Sequence, residues 1–455
     1  MTTVETNQTL RGVRLAGAEL PTQTRLVRAM GRWDIVGLII NMMVGAGIFG
    51  LPSKIFVLTG VWSVLAYLVC AALITLITLC FAEVGSRFSE SGGPYLHARV
   101  AFGPFVGFQV GWLLWLARVT ASAALCNLFL GYLSFFWPAA ASGWTRALVI
   151  TVVFTALTTI NIIGVRETAV VNNLFTIGKL TPLLLFVVLG LFFLSPQAFT
   201  APTMLALNSF SKAVVLLIFA FSGFEMAMVP AGETRNPRGY IAFALLIATI
   251  VVTLLYLVVQ IVCIGTLPSL ANSERPLVDA STGFLGAAGA SIISIGALVS
   301  IFGTLNSGML VGPRILFAMA EQGQLPGVLA ATHRRFRTPH FAILISAVVI
   351  LVVTLEGTFM STLTISTVIR LLCYISTCIS LPVLRRKADV PLPRFSAPAG
   401  IVVACLATAL SVLVLCNSAA QELRQVAVVG SLGIVIFLLL GGLKSYLTAD
   451  ARETF

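Results

Sequence analysis

Twelve stretches of mostly apolar residues follow one another along this chain, near 35–57, 61–82, 102–136, 146–164, 172–194, 211–231, 240–266, 286–319, 340–355, 359–384, 398–417 and 425–447. About twenty such residues make a helix long enough to cross the hydrocarbon core of a bilayer. Hydrophobic residues are 58% of the chain and charged residues 10%, against about 25% charged in an ordinary soluble domain. No soluble core hides that much apolar sequence. The fold class that follows is an all-α polytopic membrane protein with 12 transmembrane helices.

The formal charge is +12, and its placement decides what it means. With the N-terminus in the cytoplasm, twenty of the Lys and Arg residues fall on the inner side. Only Lys54, Arg146, Lys212, Arg275 and Arg424 fall outside, and Arg118, Lys179 and Arg370 lie within segments. That asymmetry obeys the positive-inside rule. It puts both termini in the cytoplasm and requires an even number of crossings of the cell (inner) membrane. The basic residues then meet anionic lipid, and nucleic acid is excluded as a partner. Residues 1–34 form a polar tail without the apolar stretch of a signal peptide, and residues 448–455 form a second tail. The eight cysteines lie within or at the ends of apolar segments and lack metal-ligand spacing, so they read as small hydrophobes. His97, His333 and His340 fall in or beside inner loops. Neither a metal nor a cofactor is expected.

Segment one contains Asn41–Met42–Met43–Val44–Gly45–Ala46–Gly47–Ile48–Phe49–Gly50 at its centre, and Pro52 is read as its end. Glycine inside a helix costs about 1 kcal/mol relative to alanine, so three in six positions mark a place where the helix opens. Opened backbone at membrane depth survives only where protein buries it or where it lines a cavity. A second interruption stands in segment six, at Phe221–Ser222–Gly223–Phe224–Glu225. Paired breaks in the two halves of a membrane chain point to a transporter's binding site. Segments one and six also enter the membrane from opposite sides. Residues 35–194 and 195–385 therefore read as two inverted five-helix units, with the last two helices in 386–447.

A break exposes orphan amides at the start of one half-helix and orphan carbonyls at the end of the other. The amides and the helix dipole attract a carboxylate, and the carbonyls accept from an ammonium. One break thus offers partners to both charged groups of an α-amino acid. The bland reading is close helix packing at Gly45, Gly47 and Gly50. If Gly47 approaches substrate, Gly47→Leu abolishes binding and leaves the protein folded.

Ionisable residues inside spans are rare and mark function by default. Lys179 lies roughly 10 Å along its helix, so it either snorkels to the interface or acts in the interior. Glu225 either fixes the unwound stretch or titrates. Arg118 must pair with Glu225, with substrate or with water, because a lone buried cation is very costly. Arg370 reads as structural.

These residues resemble a known family, the amino acid–polyamine–organocation (APC) transporters. The resemblance is carried by Gly45–Ala46–Gly47–Ile48–Phe49, by Phe221–Ser222–Gly223–Phe224–Glu225 and by Gly232–Glu233–Thr234–Arg235–Asn236–Pro237. Gly92–Gly93–Pro94–Tyr95, Phe102–Gly103–Pro104 and Gly323–Gln324–Leu325–Pro326 extend it over nearly the whole chain. It implies a LeuT-like 5+5 inverted repeat plus two C-terminal helices. It also implies a substrate carboxylate on the amides of Ala46, Gly47 and Ile48 beside Gly45 and Gly223. The ammonium would meet the carbonyls of Met43, Phe219 and Ser222, with Arg118 and Ser122 facing the pocket. Phe219 stands where the similar arginine/agmatine exchanger has a gating aromatic, and Glu225 where it has a proposed proton-sensing glutamate. Lys179 resembles the lysine that replaces a sodium ion in proton-coupled relatives. Arg118 and Gly308 depart from the exchanger, so arginine and agmatine are not the expected cargo.

The expected protein is a secondary transporter moving an α-amino acid by alternating access with protons. No P-loop is present, so a gradient must drive it. Exchange without net proton coupling is the rival mode. A membrane amino-acid sensor is a rival class, although the chain carries no soluble output domain. An enzyme is not expected, since paired carboxylates, His/Cys clusters and nucleophile motifs are lacking in the spans. A cationic substrate side chain 4 Å from Arg118 would be repelled by about 4 kcal/mol at an effective dielectric near 20. Neutral or acidic amino acids are therefore favoured.

Overall fold

The computed structural model describes residues 31–88, 92–164, 168–200, 206–226, 228 and 236–440, excepting the side chains of 168–175 and 237. Residues 1–30 of the N-terminal tail, the C-terminal tail, Arg166 and most of the Gly232–Pro237 turn lie outside these residues, whereas 32–34, read as tail, already belong to the first helix. The described residues form helices and turns and no strand. In order the helices are α1 Arg32–Met43, α2 Ala46–Thr59, α3 Ser63–Gly85, α4 Pro94–Phe102, α5 Pro104–Leu133, α6 Gly143–Ile163 and α7 Thr168–Gly190. There follow α8 Leu207–Ala220, α9 Pro237–Thr266, α10 Pro276–Glu321, α11 His340–Glu356, α12 Phe359–Arg386, α13 Gly400–Cys416 and α14 Ala420–Leu439. Proline opens α4, α5, α9 and α10, where its missing N–H is no loss. Thr358 caps α12 by accepting from the Ser361 amide.

Nine helices among the described residues are long and apolar enough to cross a membrane. One is the continuous run Ala46–Gly85, which joins α2 and α3. The apolar helices α11 and α13 are shorter, at 17 residues each, or roughly 25 Å. The chain is thus a multi-pass membrane protein. Helix α5 is the most enclosed, with 78% of its apolar window buried, whereas only 17% is buried in α14. The bundle accordingly builds inward on α5, which packs along α10 and α12, while α1 and α3 lie against α9 and α2 against α8. Leu148 and Val152 of α6 and Val428 and Leu432 of α14 are exposed, an apolar exterior that lipid would cover.

Two helix boundaries differ from the sequence reading. Pro52 does not end segment one but sits inside α2. Its missing N–H leaves the Ile48 carbonyl without an intrahelical donor, and the helix runs on to Thr59. The eighth segment begins ten residues early, because α10 is two helices joined at Gly286 (φ 64°, ψ −164°), a backbone that only glycine adopts without strain.

At one end of the bundle a buried carboxylate ties three parts of the chain together. Glu83, fully buried in α3, accepts two hydrogen bonds of 2.7 Å from Arg385 of α12. It also accepts from the Ala397 amide at 2.8 Å and from Arg87 at 3.4 Å. Removing one partner of a buried pair leaves the other charge uncompensated and costs about 3 kcal/mol or more. Glu83→Gln is therefore expected to lower the unfolding temperature in detergent by several degrees. Arg386→Gln, on an exposed side chain, is expected to move it within the small range of surface changes. Equal melting of both variants and wild type would show that the cluster is not a tie.

Candidate functional site

The first interruption runs from the end of α1 at Met43 to the start of α2 at Ala46. The amides of Ala46, Gly47 and Ile48 have no intrahelical acceptor, and no side chain caps them. The second follows Ala220, where Phe221, Ser222 and Gly223 form a turn before a short 3-10 stretch over 224–226. Gly223 has φ +117°, and a Cβ there would stand 2.6 Å from the Met42 carbonyl oxygen. A Cβ on Gly47 would stand 2.4 Å from Ala220 Cα. The two breaks therefore touch, backbone to backbone, although about 180 residues of sequence separate them. Tyr256 of α9 joins them further. Its hydroxyl lies 2.7 Å from the Met43 carbonyl and 3.1 Å from that of Ala220.

Lys179 does not snorkel. It is fully buried, and its ammonium donates to the carbonyls of Asn41 (2.8 Å) and Val44 (2.9 Å) and to Thr304 Oγ1 (3.3 Å). It thereby links α7 and α10 to the end of α1. Ser300 Oγ lies 3.5 Å from the same Val44 carbonyl. Opened helix carbonyls in a dry interior need donors, and one ammonium supplies all three of its protons here.

The pairing of Arg118 with Glu225, considered from the sequence, is not formed. Glu225 instead makes an ion pair with Arg370 of α12, accepts from Tyr374 Oη at 3.0 Å and accepts from the Gly223 amide at 2.8 Å. Arg370 and Tyr374 are four residues apart and present one face of α12 to the second break. The proximity is physical: Arg370 lies 145 residues from Glu225 in sequence, and nothing local signals it.

Arg118 of α5 is buried, with 5% of its surface exposed. Its Nε has no hydrogen-bond partner among the described residues. The guanidinium fits where α10 carries no side chain, since a Cβ on Gly308 would lie 3.4 Å from Arg118 Nη2 and 3.1 Å from Ser122 Oγ. Phe219 and Ser222 are buried beside the second break. The Phe219 carbonyl already accepts from both the Ser222 hydroxyl at 2.7 Å and the Ser222 amide at 3.1 Å, whereas the Met43 carbonyl takes the Tyr256 proton and keeps one lone pair for a ligand. Tyr256 and Tyr374 escaped the sequence reading. A tyrosine within an otherwise apolar helix is their only local signal.

Helical breaks that meet inside a bundle with an apolar exterior are the arrangement expected of a multi-pass membrane transporter. The comparisons agree. A family model described as amino acid permease matches residues 30–441. The serine/threonine exchanger SteT of Bacillus subtilis is 29% identical over 440 residues, covering 94% of this chain and 98% of that one. The branched-chain amino acid permease BcaP of the same organism is 29% identical over 70% of this chain and 72% of its own. An arginine/ornithine antiporter of Pseudomonas aeruginosa is 28% identical over 65% and 64%. The chain belongs to the amino acid permease family, within the APC transporters.

The contact at Gly47 alters one expectation. A Cβ at that position already meets the Ala220 backbone, so Gly47→Leu would push α2 away from α8 and disturb the fold as well as binding. Even Gly47→Ala is expected to lose about 1–3 kcal/mol by overpacking. Gly131→Ala, where no atom lies within 4 Å, is expected to be neutral or stabilising. Thermal unfolding of both variants checks this, and a Gly47→Ala as stable as Gly131→Ala would refute the close approach.

Proposed function

We propose that this permease is a secondary active transporter of an α-amino acid, neutral or acidic rather than cationic, working by alternating access with proton coupling. It would cross the cell (inner) membrane twelve times, as two inverted five-helix units and two further helices, with both termini cytoplasmic. The observation that carries the reading is the contact between the two breaks. The substrate carboxylate sits on the amides of Ala46, Gly47 and Ile48, beside Gly45. Its ammonium meets the Met43 and Ser222 carbonyls, and the Phe219 carbonyl once the Ser222 hydroxyl turns away from it. Gly223 lets the second break close on the first, and the Phe219 ring gates the pocket. Arg118 and Ser122 face the substrate side chain.

Lys179 is the residue assigned to the proton. Charged, it bonds Asn41, Val44 and Thr304 and holds the first break to α7 and α10. Neutral, it loses a donor and the charge that binds those oxygens, which frees α1 to move. Glu225 is committed to Arg370, Tyr374 and the Gly223 amide, and its assigned task is to hold the second break. One observation favours the alternative of exchange: the serine/threonine exchanger aligns over 94% of the chain.

Uptake of labelled amino acids into liposomes tests the whole reading. An inward proton gradient is expected to accelerate uptake by wild type and not by Lys179→Ala. Dependence on substrate preloaded inside, with no response to the gradient, would establish exchange instead. A Lys179→Ala protein that keeps the full gradient response would make the lysine structural. Binding without any uptake would make the protein a sensor.

A further inference from the structure

The central charges of the bundle do not balance. Arg370 and Glu225 neutralise each other as an ion pair, and Lys179 spends its protons on two carbonyls and a hydroxyl. Arg118 remains. Its Nε makes no hydrogen bond to any described residue, and the groups in electrostatic reach of it are a second cation, Arg370, and the Tyr374 phenol. A guanidinium carries five donors and keeps its charge in any protein setting. Buried with no counter-ion among the described residues, it is among the costliest groups a membrane interior can hold.

Its position gives the charge a use. Thr304 and Gly308 are one helical turn apart on α10. The Thr304 side chain lies against Gly45, with the nearest approach 3.2 Å from the place of a glycine Cβ, and Gly308 leaves room for the Arg118 guanidinium. Arg118 therefore stands about 6 Å along α10 from the first break, a few carbon–carbon bonds from where a substrate's α-carboxylate would sit. Ser122 Oγ, one turn further along α5, faces the same gap at Gly308.

We propose that Arg118, with Ser122 across from Gly308, forms a subsite for an anionic side chain, so that the preferred substrates are dicarboxylic amino acids such as glutamate and aspartate. The inference rests on the substrate site proposed above and narrows it to one charge class. The second carboxylate supplies the counter-charge that no described residue does, and planar guanidinium and carboxylate match as a two-pronged pair. The net charge of the occupied site then falls by one.

Glutamate and glutamine have nearly the same shape and differ in that charge, which makes them the discriminating pair. Their affinities for the purified full-length protein, by calorimetry or scintillation proximity, are expected to differ roughly a hundredfold in favour of glutamate. Arg118→Gln is expected to bring the ratio near one by weakening glutamate selectively. A merely structural arginine would weaken both ligands alike. Should Arg118→Gln fail to fold, the wild-type ratio decides alone. Wild-type protein that binds glutamine, serine or leucine as tightly as glutamate would overturn the subsite and leave the amino acid transporter reading standing. If a folded protein binds no amino acid at all, the subsite and that reading fail together.

Discussion

The grip of one buried ammonium on opened backbone is the interaction on which this structure depends. Breaking α1 from α2 exposes carbonyls at a depth where water cannot serve them. Lys179 reaches across from α7 to satisfy Asn41 and Val44 and anchors the arrangement on Thr304. With the carbonyls held, the amides at the start of α2 remain available, and the second break can pack directly on the first through Gly47 and Gly223. Remove the ammonium, and the carbonyls of Asn41 and Val44 lose their shortest charged donor. In the proposed proton-coupled cycle the same residue that stabilises the site also controls it.

The second break is secured by different chemistry. Glu225 turns back onto the Gly223 amide and is locked in place from α12 by Arg370 and Tyr374. A carboxylate with a guanidinium, a phenol and an amide is well satisfied, so it serves better as a strut than as a switch. Glu83 repeats the device at one end of the bundle, where it holds α3 to α12 and to the segment before α13. Two buried carboxylates and one buried ammonium thus hold the bundle together at three places. Tyr256, bridging both breaks from α9, adds a further tie between them.

Much of this was legible in the sequence, for a physical reason. Bilayer burial demands long apolar runs, so any glycine cluster or charge inside them stands out against a uniform background. Gly45, Gly47, Gly223, Lys179, Arg118 and Glu225 were all visible in that way. Partners were not. Which arginine would meet Glu225 depends on how helices far apart in sequence stack, and the nearer guess, Arg118, was displaced by Arg370. Tyr256 and Tyr374 were hidden because an aromatic in a membrane helix also has an apolar use. The break at Gly286 passed unread because Pro276 to Leu285 is too short to announce itself as a span.

On the proposed transport reading, Lys179 holds the place at the first break that a bound cation could otherwise fill. The direct measurement is uptake of labelled substrate into liposomes at fixed proton gradient, with an inward sodium gradient or with choline in its place. Equal rates are expected, since Lys179 already takes the carbonyls of Asn41 and Val44. Uptake that requires sodium would contradict the account.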